Sequence, residues 1–385
     1  MLSLDFYNPT RIILGKGRIA ELDTHISQQA RVLVLYGGGS VERNGTLDEV
    51  RQALGQRHVQ YFSGIEPNPT FETLMQAVEL IRRDQLDFLL AVGGGSVIDG
   101  SKFVAAAVNF AGDPWEILLN GGTNVTSALP LASVLTLPAT GSEMNNGAVI
   151  TRAASKTKLP MHSDYVFPQF SILDPSKTFS LPARQVANGV VDAFVHVIEQ
   201  YLTLPSNSPL QDRFAEGLLQ TLIEIGEQAV QESDNEEVRA NLMWVASLAL
   251  NGLIGAGVPQ DWSTHLLGHE LTALYGLDRA QSLAVVLPSM LHERRGAKRE
   301  KLLQYAARVW QLEAGSEDER IDAAIERTRA FFEAVGVPTR LSAYQLDAAC
   351  IDPTISQLEQ NGMVALGEQG AITPAICRKV LHAAL

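Results

Sequence analysis

"LDFLLAVGGGS", residues 86–96, decides the fold class. An apolar run with no polar alternation is a strand buried on both faces, the habit of a parallel sheet. Three glycines end the run, and a helical pattern continues through Ala107. The same plan stands earlier in "RVLVLY" (31–36) and the "GGGS" after it (37–40). "LASVLTLPAT" (131–140) and "QFSILDP" (169–175) are further strand-like runs. Helical patterns lie between them, among them "NPTFETLMQAVELIRRD" (68–84), which Asn68, Pro69 and Thr70 start. Strands alternating with helices predict βαβ units, so residues 1–179 read as a nucleotide-binding α/β domain.

From about Ser180 the strand-like runs give way to amphipathic patterns at 183–203, 208–232, 235–254, 261–275, 299–312, 318–335 and 371–384. Residues 180–385 therefore read as an all-helical domain. "DPSKTFSLP" (174–182) punctuates the boundary with two prolines.

Composition narrows the function. The 385 residues are 46% hydrophobic and 19% charged, with a formal net charge of -13. An acidic surface repels nucleic acid and anionic lipid, so neither is an expected partner. No apolar run approaches the ~18 residues of a membrane span, and the N-terminus has no signal-peptide pattern. The two cysteines, Cys350 and Cys377, form no CxxC, which suits a reducing cytoplasm. The expected ligand is a small molecule.

The two glycine-rich loops point to a nucleotide. Gly37, Gly38, Gly39 and Ser40 come after one strand; Gly93, Gly94, Gly95 and Ser96 come after another. Glycines let backbone N–H groups approach a phosphate, and the next helix adds its positive end; tight turns are the plain alternative. Asp99 and Lys102 lie three apart on the new helix, and read either as cofactor contacts or as a surface ion pair. After the first strand no carboxylate occupies the position that would bind a ribose 2′-hydroxyl, and Arg43 is within reach of a 2′-phosphate, with Glu42 opposing. NADP(H) is thus expected over NAD(H). The third run ends in a polar loop with Thr136, Thr140, Gly141 and Ser142. Lys158, Leu137 and Leu181 complete the candidate cofactor contacts.

A second constellation lies in the helical half. "VVDAFVHVIEQ" (190–200) places Asp192 and His196 at i and i+4 on one face of an apolar helix, with Asn188 a turn earlier. A buried carboxylate needs a partner or a cation, so the pair is either a hydrogen-bonded core pair or half of a metal site. "VPQDWSTHLLGHELTALYGLDRAQ" (258–281) adds His265 and His269, again four apart, with Asp261 as a helix cap. Imidazole and carboxylate donors on two helices suit Zn2+ or Fe2+.

Taken in order, "GGGSVIDGSK", "TLPATGSE", "DAFVHVIEQY" and "HLLGHELTALYGLDRAQ" resemble the iron-containing, group III alcohol dehydrogenases, in particular the branch of NADPH-dependent aldehyde reductases and butanol dehydrogenases. The resemblance runs from "PTRIILGKG" (9–17) almost to the C-terminus. It implies a Rossmann-like N-terminal domain and a helical C-terminal domain, as in dehydroquinate synthase-like proteins. It also implies hydride transfer between NADP(H) and a small alcohol or aldehyde, and a homodimer, with "TRIIL" (10–14) a possible contact. A divalent metal would be held by Asp192, His196 and His265 and would polarise the substrate oxygen; His269 would sit beside the substrate. The family's fourth ligand falls fourteen residues after His265, where this chain has Arg279. A guanidinium has no lone pair to give. Three readings stay open: a three-ligand metal site completed by water, a metal-free site in which Arg279 pairs with Asp192 and polarises the carbonyl, and an inactive nucleotide-binding protein. A dehydroquinate synthase-like lyase is a further alternative, though it needs more basic residues than these helices offer.

Overall fold

The architecture arises from a row of strands too apolar to face water. The structure, a computed structural model, describes residues 3–385. Its strands are β1 (Arg11–Leu14), β2 (Arg31–Tyr36), β3 (His58–Phe62), β4 (Phe88–Gly94), β5 (Leu131–Leu137), β6 (Gly147–Arg152), β7 (Thr157–His162) and β8 (Phe170–Leu173). Six form one sheet in the order β1-β8-β5-β4-β2-β3. Every pairing in it is parallel, while β6 and β7 form an antiparallel hairpin.

Side chains of β2 and β4 alternate between two cores. Val32, Val34, Leu90 and Val92 pack on one face with Leu47, Val50 and Ala132. Leu33, Leu35, Leu89 and Ala91 pack on the other with Leu74, Val78, Ile98 and Phe103. Burial on both faces is why these strands carry no polar alternation. The helix Phe71–Asp84 begins where Thr70 Oγ1 accepts the Thr73 N–H (3.3 Å). The edge strand β3, "HVQYF", is half-buried and polar enough that its pattern gives no strand signal.

The chain divides into two compact units. One comprises 7–182 and 232–247; the other comprises 183–231 and 248–385 with the described residues 3–6. Most of the helix Glu236–Ala249, expected with the helical half, belongs to the first unit. There Met243 joins the sheet's core and Arg239 donates to Thr178 O. Periodicity makes the helix legible, but which core its apolar face joins is a long-range matter.

The second unit is helical throughout. Two of its helices, Arg279–Glu293 and Ile351–Gln360, fall outside the amphipathic stretches that the sequence predicts. The first is buried nearly all round and contains Pro288, so its sequence shows neither amphipathic period nor uninterrupted helix chemistry. Cys350 and Cys377 are buried, unbridged members of this unit's core. Among the described residues, no helix is long and apolar enough to cross a membrane.

Candidate active site

The helix Ala183–Tyr201 buries its whole second half, and Asp192, His196 and Glu199 are buried with it. These three positions, spaced four and three apart, share one face. The facing helix, Ser263–Tyr275, brings His265 against them. The rings of His196 and His265 stack with centroids 4.8 Å apart and planes within 11°. Asp192 Oδ1 lies 3.9 Å from His196 Nε2. Asp192, His196 and His265 each offer a ligand atom, all within 4.8 Å of one another. Trp262, in the left-handed region at φ 62°, edges onto His265 at 5.3 Å.

Glu199 organises the pair of helices. Its Oε1 accepts the Thr264 N–H (2.6 Å) and its Oε2 the His265 N–H (3.3 Å), satisfying donors that a helix N-terminus leaves open. Oε2 also binds His265 Nδ1. Because a carboxylate only accepts, Nδ1 carries a proton, which leaves Nε2 as the ring nitrogen open to a metal. Sequence reasoning passed over Glu199, although its place on the face of Asp192 and His196 was a usable signal. Asp261, expected as a helix cap, instead stands one residue before the N-cap Trp262; it accepts the Ser263 N–H (3.0 Å) and pairs with the buried Lys298.

Arg279 is the first residue of helix Arg279–Glu293, between the two members of its capping box, Asp278 and Gln281. Its Nη2 lies 3.2 Å from Asp192 Oδ2. Asn188 does not join the cluster; its amide donates to Asp278 Oδ2 (2.8 Å) and secures that cap. His269 comes one turn after His265, its ring edge-on at 6.3 Å.

The donor set fits a divalent ion. Two buried ring nitrogens, His196 Nδ1 and His265 Nε2, have no hydrogen-bond partner, and buried polar atoms seldom stay unsatisfied without a purpose. Burial pushes the His196 imidazole down to about 3, with Asp192 opposing and His265 and Arg279 adding, so it is neutral and able to donate a lone pair at pH 7. Nitrogen and carboxylate oxygen are the donors that Zn2+ and Fe2+ favour. Arg279 contributes no donor and occupies one side of Asp192.

In the other unit, both glycine loops leave the carboxyl ends of neighbouring strands, β2 and β4. There the strand order reverses, since β2 leads outward to β3 and β3 leads back across to β4. Open α/β sheets bind ligands at such switch points. Gly39 has φ 87°, a conformation that favours glycine. A Cβ on Gly95 would come within 2.4 Å of Thr140 Oγ1, so only glycine lets the β4 and β5 loops approach this closely. Space above Gly38 is open. Gly37 packs under Ile65 O, and Gly93 and Gly94 against Val97 and Leu137.

The two loops lead into helices of very different length. Gly95–Ala107 has 13 residues, whereas Ser40–Arg43 is a single turn, too short for the macrodipole expected behind the first loop. Arg43 is exposed beside Gly39, and the carboxylate of Glu42 accepts the Tyr36 hydroxyl (2.8 Å).

Lys102 and Asp99 are not a surface ion pair. Lys102 is fully buried and its Nζ donates to Ser142 Oγ, Asn145 Oδ1 and Gly147 O, each at 2.9 Å. Asp99 accepts from Ser142 Oγ (2.6 Å) and Val149 N (3.0 Å). An ammonium has three N–H donors, and all three are spent on holding the loop after β5. Burial pushes this ammonium down to about 7 against the pull of Asp99 and Glu143. Lys158 is not a solvated lysine either: its Nζ donates to Asn68 Oδ1 (2.8 Å), whose backbone N–H reaches Ser96 Oγ (3.3 Å). Thr136 is buried at the end of β5, Thr140 Oγ1 accepts the Ser142 N–H (3.1 Å), and Leu181 is partly buried.

Similarity to known proteins matches this geometry. Residues 9–175 match the family described as iron-containing alcohol dehydrogenase, and residues 186–373 match the C-terminal description of the same family. The chain is 58% identical to the NADPH-dependent aldehyde reductase YqhD of Escherichia coli K12, with 100% of each chain covered. It is 37% identical to the NADH-dependent butanol dehydrogenase A of Clostridium acetobutylicum, covering 99% of this chain and 98% of that one. The solved substrate- and cofactor-free E. coli YqhD superposes with a TM-score of 0.94 over the full length of both chains, at 56% identity. A parallel sheet with glycine loops at its switch point, a buried Asp–His–His cluster between helices and full-length similarity on both halves lead to one assignment: the chain belongs to the iron-containing alcohol dehydrogenase family.

Proposed function

We infer that the chain is an oxidoreductase that reduces small aldehydes to alcohols with NADPH, and oxidises the alcohols in reverse. The buried Asp192–His196–His265 cluster, in a chain 58% identical to an NADPH-dependent aldehyde reductase, carries this reading. Asp192, His196 and His265 would hold a divalent metal, Fe2+ or Zn2+, which when bound supplies a Lewis acid for the substrate oxygen. NADPH supplies the hydride when bound. The chain's own residues prepare the site. Glu199 orients His265, and the His196 and His265 rings stack beside the buried Asp192 carboxylate. His269 is assigned to the substrate side, and Arg279 to Asp192.

For the nucleotide, Gly37, Gly38, Gly39, Gly93, Gly94, Gly95 and the hydroxyls of Ser40 and Ser96 offer a phosphate surface at the switch point. Thr136, Leu137, Thr140 and Leu181 are proposed as further contacts. Lys102, Asp99 and Ser142 shape the loop behind them, and Lys158 steadies Ser96 through Asn68. Arg43 is the proposed 2′-phosphate partner, with Glu42 engaged by Tyr36. Two features support a soluble cytoplasmic homodimer: the unbridged cysteines and β1 at the edge of the sheet, where a second copy would meet it.

The test monitors nucleotide oxidation at 340 nm with butanal and glyoxal. NADPH should be consumed at a kcat/KM at least tenfold above that for NADH. Nucleotide binding with no turnover of any aldehyde would instead favour a non-catalytic protein.

Glu199→Gln should weaken Zn2+ binding about 10–100-fold, the usual cost of losing the group that orients a metal-bound histidine. Equilibrium dialysis reads it, and an unchanged affinity would remove Glu199 from the site.

A further inference from the structure

We propose that Arg279 is a built-in competitor for the metal, so that its guanidinium and a divalent ion take Asp192 in turn. This rests on the ligand assignment above and deepens it. Asp192 is a buried carboxylate, 3% exposed at its side chain, and such a group is costly without a cation. Arg279 Nη2, 3.2 Å from Oδ2, supplies one without any metal. The arginine-paired cluster is therefore a stable state of its own, in which His196 Nδ1 and His265 Nε2 stand unsatisfied.

Two features favour a reversible pairing. Arg279 is the first residue of its helix, at the positive end of the macrodipole, where a cation is disfavoured. Asp192 is thus the group that draws it inward. The Arg279 side chain is also 22% exposed, against 3% for His196 and 8% for His265, so the guanidinium has a way out while the donors do not. An ion on Asp192 removes the attraction and adds repulsion, and both drive Arg279 toward solvent. Arginine stays charged at every working pH, so metal concentration sets the balance.

Zn2+ titration of the full-length protein tests this, with melting measured in EDTA and in Zn2+. Arg279→Met removes the competitor and adds no ligand. It should bind Zn2+ at least tenfold more tightly than the wild type. It should also melt lower than the wild type in EDTA and regain that loss in Zn2+. Arg279→Gln serves the same purpose should the methionine variant not fold. Arg279→His, which offers a further imidazole, checks the cluster itself. If Arg279→Met and Arg279→Gln bind Zn2+ no tighter than the wild type while Arg279→His does, competition is wrong and the ligand set stands. If none of the variants binds Zn2+, the ligand assignment fails and the competition fails with it.

Discussion

His265→Ala is expected to lower kcat/KM for aldehyde reduction by about 10³-fold or more, the rate equivalent of the several kcal/mol that a polarising ion supplies. The size of the effect comes from the position of this side chain. His265 is fixed by Glu199, stacked on His196 and one turn before His269, so its loss removes a nitrogen donor and loosens the face that presents the others. Zn2+ content measured after dialysis should fall with the rate. NADPH affinity, read by nucleotide fluorescence, should stay within about twofold, since the glycine loops belong to the other compact unit. A rate within tenfold of the wild type would separate the cluster from the reaction, as a site polarised by Arg279 alone requires.

Arg57→Met is expected to cost about 3 kcal/mol of stability, the sum of two buried and three part-buried acceptors losing a charged donor. Arg57 uses all five of its N–H groups. Nε donates to Ser27 O (3.0 Å), Nη1 to Asp23 Oδ1 (3.0 Å) and Leu54 O (2.8 Å), and Nη2 to Asp23 O (2.9 Å) and Ile26 O (2.7 Å). The guanidinium ties the short turn Leu22–His25 and the end of helix Thr46–Leu54 to one loop, where a cation also meets the negative end of the longer helix's dipole. A compact ammonium cannot reproduce a planar fork with five donors, so Arg57→Lys should recover less than half of the loss. Urea unfolding with an unchanged slope measures it, and a cost under 1 kcal/mol would contradict the network.

Much of the site was legible because its spacing is local. Asp192 and His196 share a face, as do His265 and His269, whatever the rest of the chain does, and β2 appears at the residues its apolar run predicts. Glu199 belonged to the same local pattern and was readable in principle. The Lys102 network was not: three apart on a helix from Asp99, it looks like a surface pair until the loop after β5 folds over it.

By itself, the sequence determined the class of the fold and the donors of the cluster. Unalternating apolar runs admit only a sheet buried on both faces, and helical period puts a carboxylate and an imidazole on one stripe. Tertiary structure alone decided that the glycine loops flank one switch point, since strand order is set by pairing partners distant in the chain. It also decided that helix Glu236–Ala249 packs on the sheet, and that Glu199 orients His265. The ion pair between Arg279 and Asp192 is the last such case. The two lie 87 positions apart, and only the packing of their helices brings a guanidinium onto a carboxylate that is otherwise suited to a metal.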